Sequence, residues 1–158
     1  TIHQSLIQDF NVIRPRIALL GLNPHSGDNG IIGSEEQDFI NNTVKELFDE
    51  EIIIYGPYSA DAFFGSEQYK KFDAVVACYH DQGLIPFKTL SFGNGVNFTA
   101  GLNFIRTSPD HGTAYDIAGK GIADHTSFKN AVYTALDIYK NRNEYLQSTA
   151  NPLKISNN

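Results

Sequence analysis

Short apolar runs alternate with amphipathic segments along most of the chain. Runs that predict buried strands lie at 16–21, 52–55 and 74–78, with two further strands expected at 96–99 and 103–107. Helical spacing of apolar residues predicts helices at 1–10, 35–48, 62–71 and 126–139. Strands that alternate with helices in this way are typical of an α/β fold, a layered α/β/α arrangement with a mostly parallel sheet.

Local signals refine where these elements begin and end. Ser34 and Gln37 have the spacing of a capping box, which predicts that a helix starts at Ser34. The Gly56-Pro57 pair is expected to close the strand that precedes it. The last helix is expected to turn one apolar stripe inward, made up of Phe128, Val132, Ala135, Leu136 and Tyr139.

No linker or internal repeat interrupts the pattern. Residues 1–147 are therefore expected to form a single α/β unit, followed by a polar tail at 148–158. The formal net charge of −6 gives no electrostatic reason to bind nucleic acid or an anionic membrane. Cys78 is the only cysteine, which excludes an intrachain disulfide and fits a cytoplasmic protein. No apolar run is long enough to span a bilayer, so no membrane partner is expected.

Two histidines lie in turn sequences at the exits of predicted strands. His25 stands in the polar segment 23–28 after the first strand, and His80 follows the strand at 74–78. Ligands of open α/β sheets collect at the carboxyl ends of the strands. Two imidazoles there suggest a divalent metal in an open site that substrate or water completes. The alternative is that each histidine has only a structural role, satisfied by a backbone carbonyl.

Further polar residues could serve the same site. Asp61 or Asp81 could accept the second imidazole N–H of His80, although an aspartate can equally cap the next helix. Lys88, Asn97 and Arg106 provide two cations and an amide, which a phosphorylated or carboxylated substrate requires. The alternative for these three is an ordinary solvated surface.

The long Gly-rich loop at 110–124 is the last candidate for ligand contact. Its glycines allow a ligand to approach the backbone closely, and loops of this length are usually functional. No Gly-x-Gly-x-x-Gly pattern follows a strand anywhere in the chain, so a Rossmann nucleotide site is not indicated.

Several motifs in register resemble the 4-hydroxythreonine-4-phosphate dehydrogenase family of pyridoxine biosynthesis. The matching segments are Gly21-Leu22-Asn23-Pro24-His25, Tyr79-His80-Asp81-Gln82-Gly83, Gly95-Val96-Asn97, Phe104-Ile105-Arg106-Thr107-Ser108 and Asp110-His111-Gly112-Thr113-Ala114. Their order and spacing agree with the family over about 1–140. The resemblance implies the fold of the isocitrate and isopropylmalate dehydrogenases, with this chain as the C-terminal half.

The resemblance also implies roles for individual residues. It makes His25 and His80 two of three metal-binding histidines, and the third is expected upstream of this chain. Zinc suits such ligands, with magnesium, manganese and cobalt as alternatives. The resemblance implies that Lys88, Asn97 and Arg106 contact the substrate. It also implies that Asp61 and Asp81 are carboxylates near the metal. The general base that takes the alcohol proton stays open between Lys88 and a carboxylate.

The family's cofactor is implied to be NAD or NADP. The loop residues expected at its adenine side are His111, Gly112, Thr113, Ala114 and Asp124. The metal site of the family is shared across a homodimer. The implied reaction is oxidation of 4-phosphohydroxy-L-threonine to a β-keto acid that decarboxylates, and this chain alone is expected to be inactive. The alternatives are a sister dehydrogenase of phosphorylated threonate or erythronate, and a non-catalytic oligomerisation or binding fragment.

Overall fold

The computed structural model describes residues 1–153. Their contacts divide the chain into two compact units, at places where the sequence suggests no boundary. One unit is Val12–Phe92, and the other combines Thr1–Asn11 with the chain from Gly93 onward.

The described residues contain five α-helices and five β-strands. The helices are α1 (Ile2–Gln8), α2 (Asn41–Asp49), α3 (Ala60–Gly65), α4 (His80–Ser91) and α5 (Thr126–Thr149). The strands are β1 (Ile17–Leu20), β2 (Ile54–Tyr58), β3 (Ala74–Val76), β4 (Val96–Phe98) and β5 (Thr107–Pro109). Shorter helical turns lie at Pro24–Gly30, Glu36–Ile40, Gln68–Lys71 and Tyr115–Ile117.

The Val12–Phe92 unit is built on a three-stranded parallel sheet with the order β2-β1-β3. β1 is the middle strand, and its Ala18 and Leu20 are 0% exposed. Phe63 of α3 packs against both residues to form the core of this unit. The parallel α/β architecture expected from the apolar runs is therefore confirmed in this part of the chain.

β2 does not end where the sequence predicts. Gly56 and Pro57 lie inside the strand, and together they stand opposite Leu19 alone, which makes a bulge in the β1–β2 register. Gly56 permits the bulge because its φ is +134°. Pro57 is tolerated because β2 is an edge strand, where a missing N–H removes no hydrogen bond from the sheet interior.

The helix start predicted at Ser34 is confirmed, because Glu35 is the first helical residue and the Ser34 carbonyl accepts the Asp38 N–H at 2.8 Å. The side-chain contact differs from the predicted capping box. The Ser34 hydroxyl donates to the Asp38 carboxylate at 2.6 Å instead of capping a backbone N–H. Helical structure continues from Glu35 through a wide turn at Glu36–Ile40, which leads into α2.

The second unit contains a two-stranded antiparallel ribbon, β4 with β5. The strand predicted at 103–107 lies further along the chain than expected: β5 begins at Thr107 and ends at Pro109. One face of the ribbon is packed: Phe98 lies edge-on to Phe10 with ring centroids 5.4 Å apart, and the Thr107 hydroxyl donates to the Ala131 carbonyl at 2.9 Å.

α5 packs on a different face from the predicted one. Its buried residues are Ser127, Ala131 and Ile138, whereas Phe128 and Tyr139 of the predicted stripe are 62% and 61% exposed. The helix carries two neighbouring stripes that could face a core, and small side chains on one of them let the ribbon approach closely. α5 also continues to Thr149, into the predicted tail; positions 154–158 of that tail lie outside the described residues.

A buried ion pair joins α5 to the residue that ends α1. Asp9 is 0% exposed, and Arg142 donates to its carboxylate from Nε at 2.5 Å. The Ser5 hydroxyl donates to the same carboxylate, and the Asn141 amide donates to the Asp9 carbonyl at 2.7 Å. Each oxygen of the buried Asp9 thus accepts a hydrogen bond from at least one protein donor.

Candidate functional site

Three polar side chains follow the three strands of the parallel sheet. His25 comes after β1, Asp61 after β2 and His80 after β3. Because parallel strands end at one edge of a sheet, all three segments lie at the same carboxyl edge. A pocket of about 420 Å³ opens there, and it is lined by residues that include His25, Ser59, Asp61, Tyr79 and Gln82.

His25 is carried on a left-handed turn. Six consecutive residues have positive φ, namely His25, Ser26, Gly27, Asp28, Asn29 and Gly30. Left-handed backbone costs roughly 1–2 kcal/mol for each residue that carries a Cβ, with Asn and Asp the least penalised. Such strain persists only where surrounding contacts hold it, and it is concentrated at functional sites.

The buried carboxylate of Glu36 holds this turn. Glu36 is 3% exposed, and its two oxygens accept hydrogen bonds from the backbone N–H and the side-chain amide of Asn23, each at 2.8 Å. Burial acts to raise the pKa of Glu36, but these hydrogen bonds outweigh it, so the pKa lies below the ordinary value of 4.5. Sequence reasoning missed Glu36, because a charged residue in the first turn of a helix is usually solvated.

The lowered pKa makes the contribution of Glu36 dependent on pH. Above pH 4.5 the carboxylate is ionised in both folded and unfolded chains, and its stabilising effect is complete. As the pH falls through the folded pKa, below 4.5, that effect is lost. We expect Glu36→Gln to lower the free energy of unfolding by about 1–3 kcal/mol at pH 7 and by progressively less in acid.

Urea unfolding at pH 7, 4.5 and 3, followed by circular dichroism because the chain has no Trp, measures this difference. Glu46→Gln, an exposed carboxylate on α2, is the matched control and is expected to show a small difference throughout. A Glu36→Gln difference that stays the same at all three pH values would contradict the prediction.

His80 is the first residue of α4, directly after the β3 exit. Its Nδ1 lies 2.7 Å from the Asp81 carboxylate, and both side chains are exposed. Asp81 is thus the carboxylate that contacts the Nδ1 atom of this imidazole. The second ring nitrogen, Nε2, is the one that could then bind a metal. A carboxylate on one ring nitrogen fixes the tautomer and makes the other nitrogen a better ligand.

Gln82 fastens the His80 turn to the end of β1. Its side-chain oxygen accepts from the Cys78 N–H, and its side-chain nitrogen donates to the Gly21 carbonyl, each at 2.8 Å. The turns that carry the two histidines are therefore linked through one amide. No periodicity in the sequence indicates this contact, because it depends on β1 and β3 being neighbours.

Asp61 lies in the first turn of α3, at the end of β2. The Ser59 hydroxyl donates to its carboxylate at 2.5 Å. That bond, followed by the Ala62 N–H and the nearby His25 ring, holds the pKa of Asp61 below its ordinary value. Asp61 is therefore an anion beside His25 near neutral pH. Lys88 lies in the last turn of α4 and is exposed.

In the second unit, Asn97 and Arg106 share the open face of the ribbon. Asn97 is paired with Ser108, and the next pair on that face is Thr99 with Arg106. The Arg106 guanidinium donates to the Thr99 hydroxyl at 3.0 Å, and both Asn97 and Arg106 are exposed. An amide and a guanidinium on one surface can bind an anionic oxygen group.

The loop candidates for cofactor contact are also in the second unit. His111, Gly112, Thr113, Ala114 and Asp124 are all exposed. The Asp124 carboxylate accepts the Thr126 N–H at 2.9 Å, at the start of α5. Hydrogen bonds from the Thr126 hydroxyl and N–H lower the pKa of Asp124. Asp124 therefore has a structural role at a helix start, which sequence reasoning did not assign.

Residues 1–153 contain neither a complete metal site nor a helix that could cross a membrane. No group of three or more His, Cys, Asp or Glu side chains in this range could hold a metal ion by itself. The donors at the sheet edge are imidazoles and carboxylates, which suit a divalent cation, so they fit as part of a donor set that needs completion. No helix in this range combines the length and apolar character that crossing a membrane requires.

A parallel sheet with polar residues at its carboxyl edge is the arrangement at which α/β proteins typically bind their ligands. The family described as "Pyridoxal phosphate biosynthetic protein PdxA" matches residues 1–135, and the chain belongs to this family. The resemblance noted from the sequence motifs is therefore confirmed.

The chain is 55% identical to 4-hydroxythreonine-4-phosphate dehydrogenase of Bacteroides thetaiotaomicron over 152 residues, which cover 96% of this chain and 42% of that protein. A crystal structure of 4-hydroxythreonine-4-phosphate dehydrogenase from Klebsiella pneumoniae is similar, with a TM-score of 0.69 and 42% identity over 88% of this chain and 41% of that one. The chain thus spans about two-fifths of the length of these relatives.

A more distant relative has a different name. A terephthalate 1,2-cis-dihydrodiol dehydrogenase from Burkholderia xenovorans matches with a TM-score of 0.58 and 27% identity, over 85% of this chain and 42% of that one. The family fold expected from the sequence is confirmed by these similarities.

Proposed function

We propose that this chain is part of a metal- and NAD(P)-dependent oxidoreductase that oxidises the CH–OH group of 4-phosphohydroxy-L-threonine in pyridoxal phosphate biosynthesis. The product would be a β-keto acid that decarboxylates. The observation that carries the proposal is that His25, Asp61 and His80 follow three neighbouring parallel strands at one sheet edge, in a chain 55% identical to a protein named for this activity.

His25 and His80 are the proposed metal ligands, with Asp81 orienting the His80 ring. A divalent metal held there would supply Lewis-acid polarisation of the substrate hydroxyl, and a nicotinamide would accept hydride. Zinc is the metal that suits these donors best, with magnesium, manganese and cobalt as alternatives. Because two imidazoles do not complete a site, we propose that a homodimer shares it, and that this chain alone does not turn over substrate.

The remaining residues bind or move protons in this proposal. Asn97 and Arg106 would bind a phosphate or carboxylate group, with Lys88 as a further cation. Lys88, Asp61 and Asp81 are the candidates for taking the alcohol proton. Asp61 is ionised near neutral pH, but its lowered pKa makes it a weaker base than an ordinary aspartate. The proposed cofactor contacts are His111, Gly112, Thr113, Ala114 and Asp124.

Removal of either proposed ligand is expected to weaken metal binding strongly. We expect His25→Ala and His80→Ala each to reduce zinc affinity by more than about 100-fold, since loss of an outer partner alone costs 10- to 100-fold. Titration calorimetry with zinc, together with metal analysis of the dialysed protein, measures the effect. His3→Ala on α1 is the control and is expected to bind as the unchanged chain does. Equal affinities in all four proteins would refute the metal site.

A second substrate is supported by the more distant relative. A protein named as a cis-dihydrodiol dehydrogenase has this fold, so the fold accommodates more than one alcohol. A sister activity on phosphorylated threonate or erythronate would use the same anion-binding residues. The full-length protein can be assayed for NAD and NADP reduction with 4-phosphohydroxy-L-threonine, phosphorylated threonate and phosphorylated erythronate. The rates separate the hydroxythreonine activity from the sister activity.

A further inference from the structure

We propose that Glu36 is a positioning residue for His25, holding the turn that presents the imidazole at the sheet edge. The proposal rests on the proposed function for its purpose, because it concerns the placement of a proposed ligand. The evidence for it does not depend on metal binding. It consists of the contacts that Glu36 makes with both ends of the segment 21–27.

The first contact fixes the start of the turn. Asn23 precedes the turn with an extended backbone, ψ 153°, and Glu36 accepts both its backbone N–H and its side-chain amide. Only Pro24 separates Asn23 from His25, and its ring restricts φ. Fixing Asn23 therefore leaves few torsions free to move the His25 ring.

The second contact lies at the far side of the turn. A Cβ placed on Gly27 would come within 2.8 Å of the Glu36 carboxylate, and one placed on Gly21 would come within 3.1 Å. The carboxylate thus fills the space enclosed by the segment 21–27. The Ser26 hydroxyl also donates to the Pro57 carbonyl at 3.2 Å, which ties the turn to β2.

Glu36 acts through the turn and not as a ligand itself. Both of its oxygens are occupied by Asn23 donors, and the side chain is buried. A neutral glutamine at this position has only one acceptor oxygen, and its NH₂ group would face the donors of Asn23. The left-handed turn would then lose the contacts that keep it from relaxing to ordinary backbone conformations.

The test compares Glu36→Gln with Asp38→Asn, an exposed carboxylate on the same helical turn that contacts Ser34 instead of the His25 segment. In metal-free protein, the ring resonances of His25 and His80 are recorded by NMR. For Glu36→Gln we expect the His25 signals to move towards unfolded-chain values while those of His80 stay in place. Asp38→Asn is expected to leave both unchanged.

Zinc titration of the same proteins provides a second measurement. We expect a 10- to 100-fold loss of affinity in Glu36→Gln and less than a twofold change in Asp38→Asn. Unchanged His25 resonances in folded Glu36→Gln would overturn the proposal, whatever the metal result. If His25→Ala binds zinc normally, the proposed metal site fails, and the metal-free spectra still decide whether Glu36 positions the ring.

Asn23→Ala decides the question if Glu36→Gln does not fold. It removes the side-chain amide from the contact and keeps the backbone N–H. We expect a smaller displacement of the same His25 signals, and no displacement would overturn the proposal.

Discussion

Replacement of Arg142 by leucine is expected to lower the free energy of unfolding by about 3–5 kcal/mol, the usual cost of removing one partner from a buried ion pair. Asp9 would then remain buried without its cation, retaining only the Ser5 hydroxyl as a side-chain donor. Arg142 also donates to the Leu102 carbonyl, so that acceptor would lose a partner as well. Urea unfolding at pH 7, followed by circular dichroism, measures the change.

α5 provides a matched control for this variant. Lys140→Leu removes the same charge from a pair with Asp137 that is 3.8 Å long and about 70% exposed. Exposed pairs of this kind contribute less than about 1 kcal/mol. A double variant, Asp9→Asn with Arg142→Leu, is expected to lose less than the two single changes added together. If Arg142→Leu cost no more than Lys140→Leu, the buried pair would not stabilise this unit.

Alanine at Gly56 is expected to have a comparable effect in the parallel sheet. A Cβ there would overlap the carbonyl oxygen of Leu19 in the middle strand, and the φ of +134° is one that a residue with a side chain rarely adopts. Strain of the backbone and overpacking each cost about 1–3 kcal/mol, so we expect a loss of about 2–6 kcal/mol.

Gly65→Ala is the control for Gly56→Ala. Gly65 lies at the end of α3, and nothing stands within 4 Å of a Cβ placed on it. Alanine favours helix over glycine by up to about 1 kcal/mol, so the control is expected to be neutral or slightly stabilising. Equal midpoints in urea for the two variants would show that the bulge in β2 accepts a side chain.

The sheet and its polar edge could be predicted because their signals are local. β1 and β3 are apolar on consecutive residues, as strands covered on both faces must be. Polar turns follow each strand directly, so His25 and His80 could be assigned to the carboxyl edge before any coordinates were known. The bulge at Gly56-Pro57 could not, because the tolerance of proline there depends on β2 being an edge strand.

The errors at α5 and Glu36 have a different cause. α5 carries apolar side chains on two neighbouring stripes, and the ribbon selects the stripe that has Ala131 over the one that has Phe128. Glu36 is buried because the segment 21–27 folds back over it. The buried face of α5 and the burial of Glu36 both depend on which distant segment of the chain packs against the helix. Helical periodicity contains no information about that packing.

The position of β1 in the middle of its sheet also affects how the chain emerges during synthesis. Both neighbours of β1, first β2 and later β3, lie further along the chain, each beyond a helical crossover. A parallel strand cannot pair until such a connection has closed. On the ribosome β1 is therefore an apolar segment without a partner on either side, and we expect it to be a site of chaperone contact until β3 has been translated.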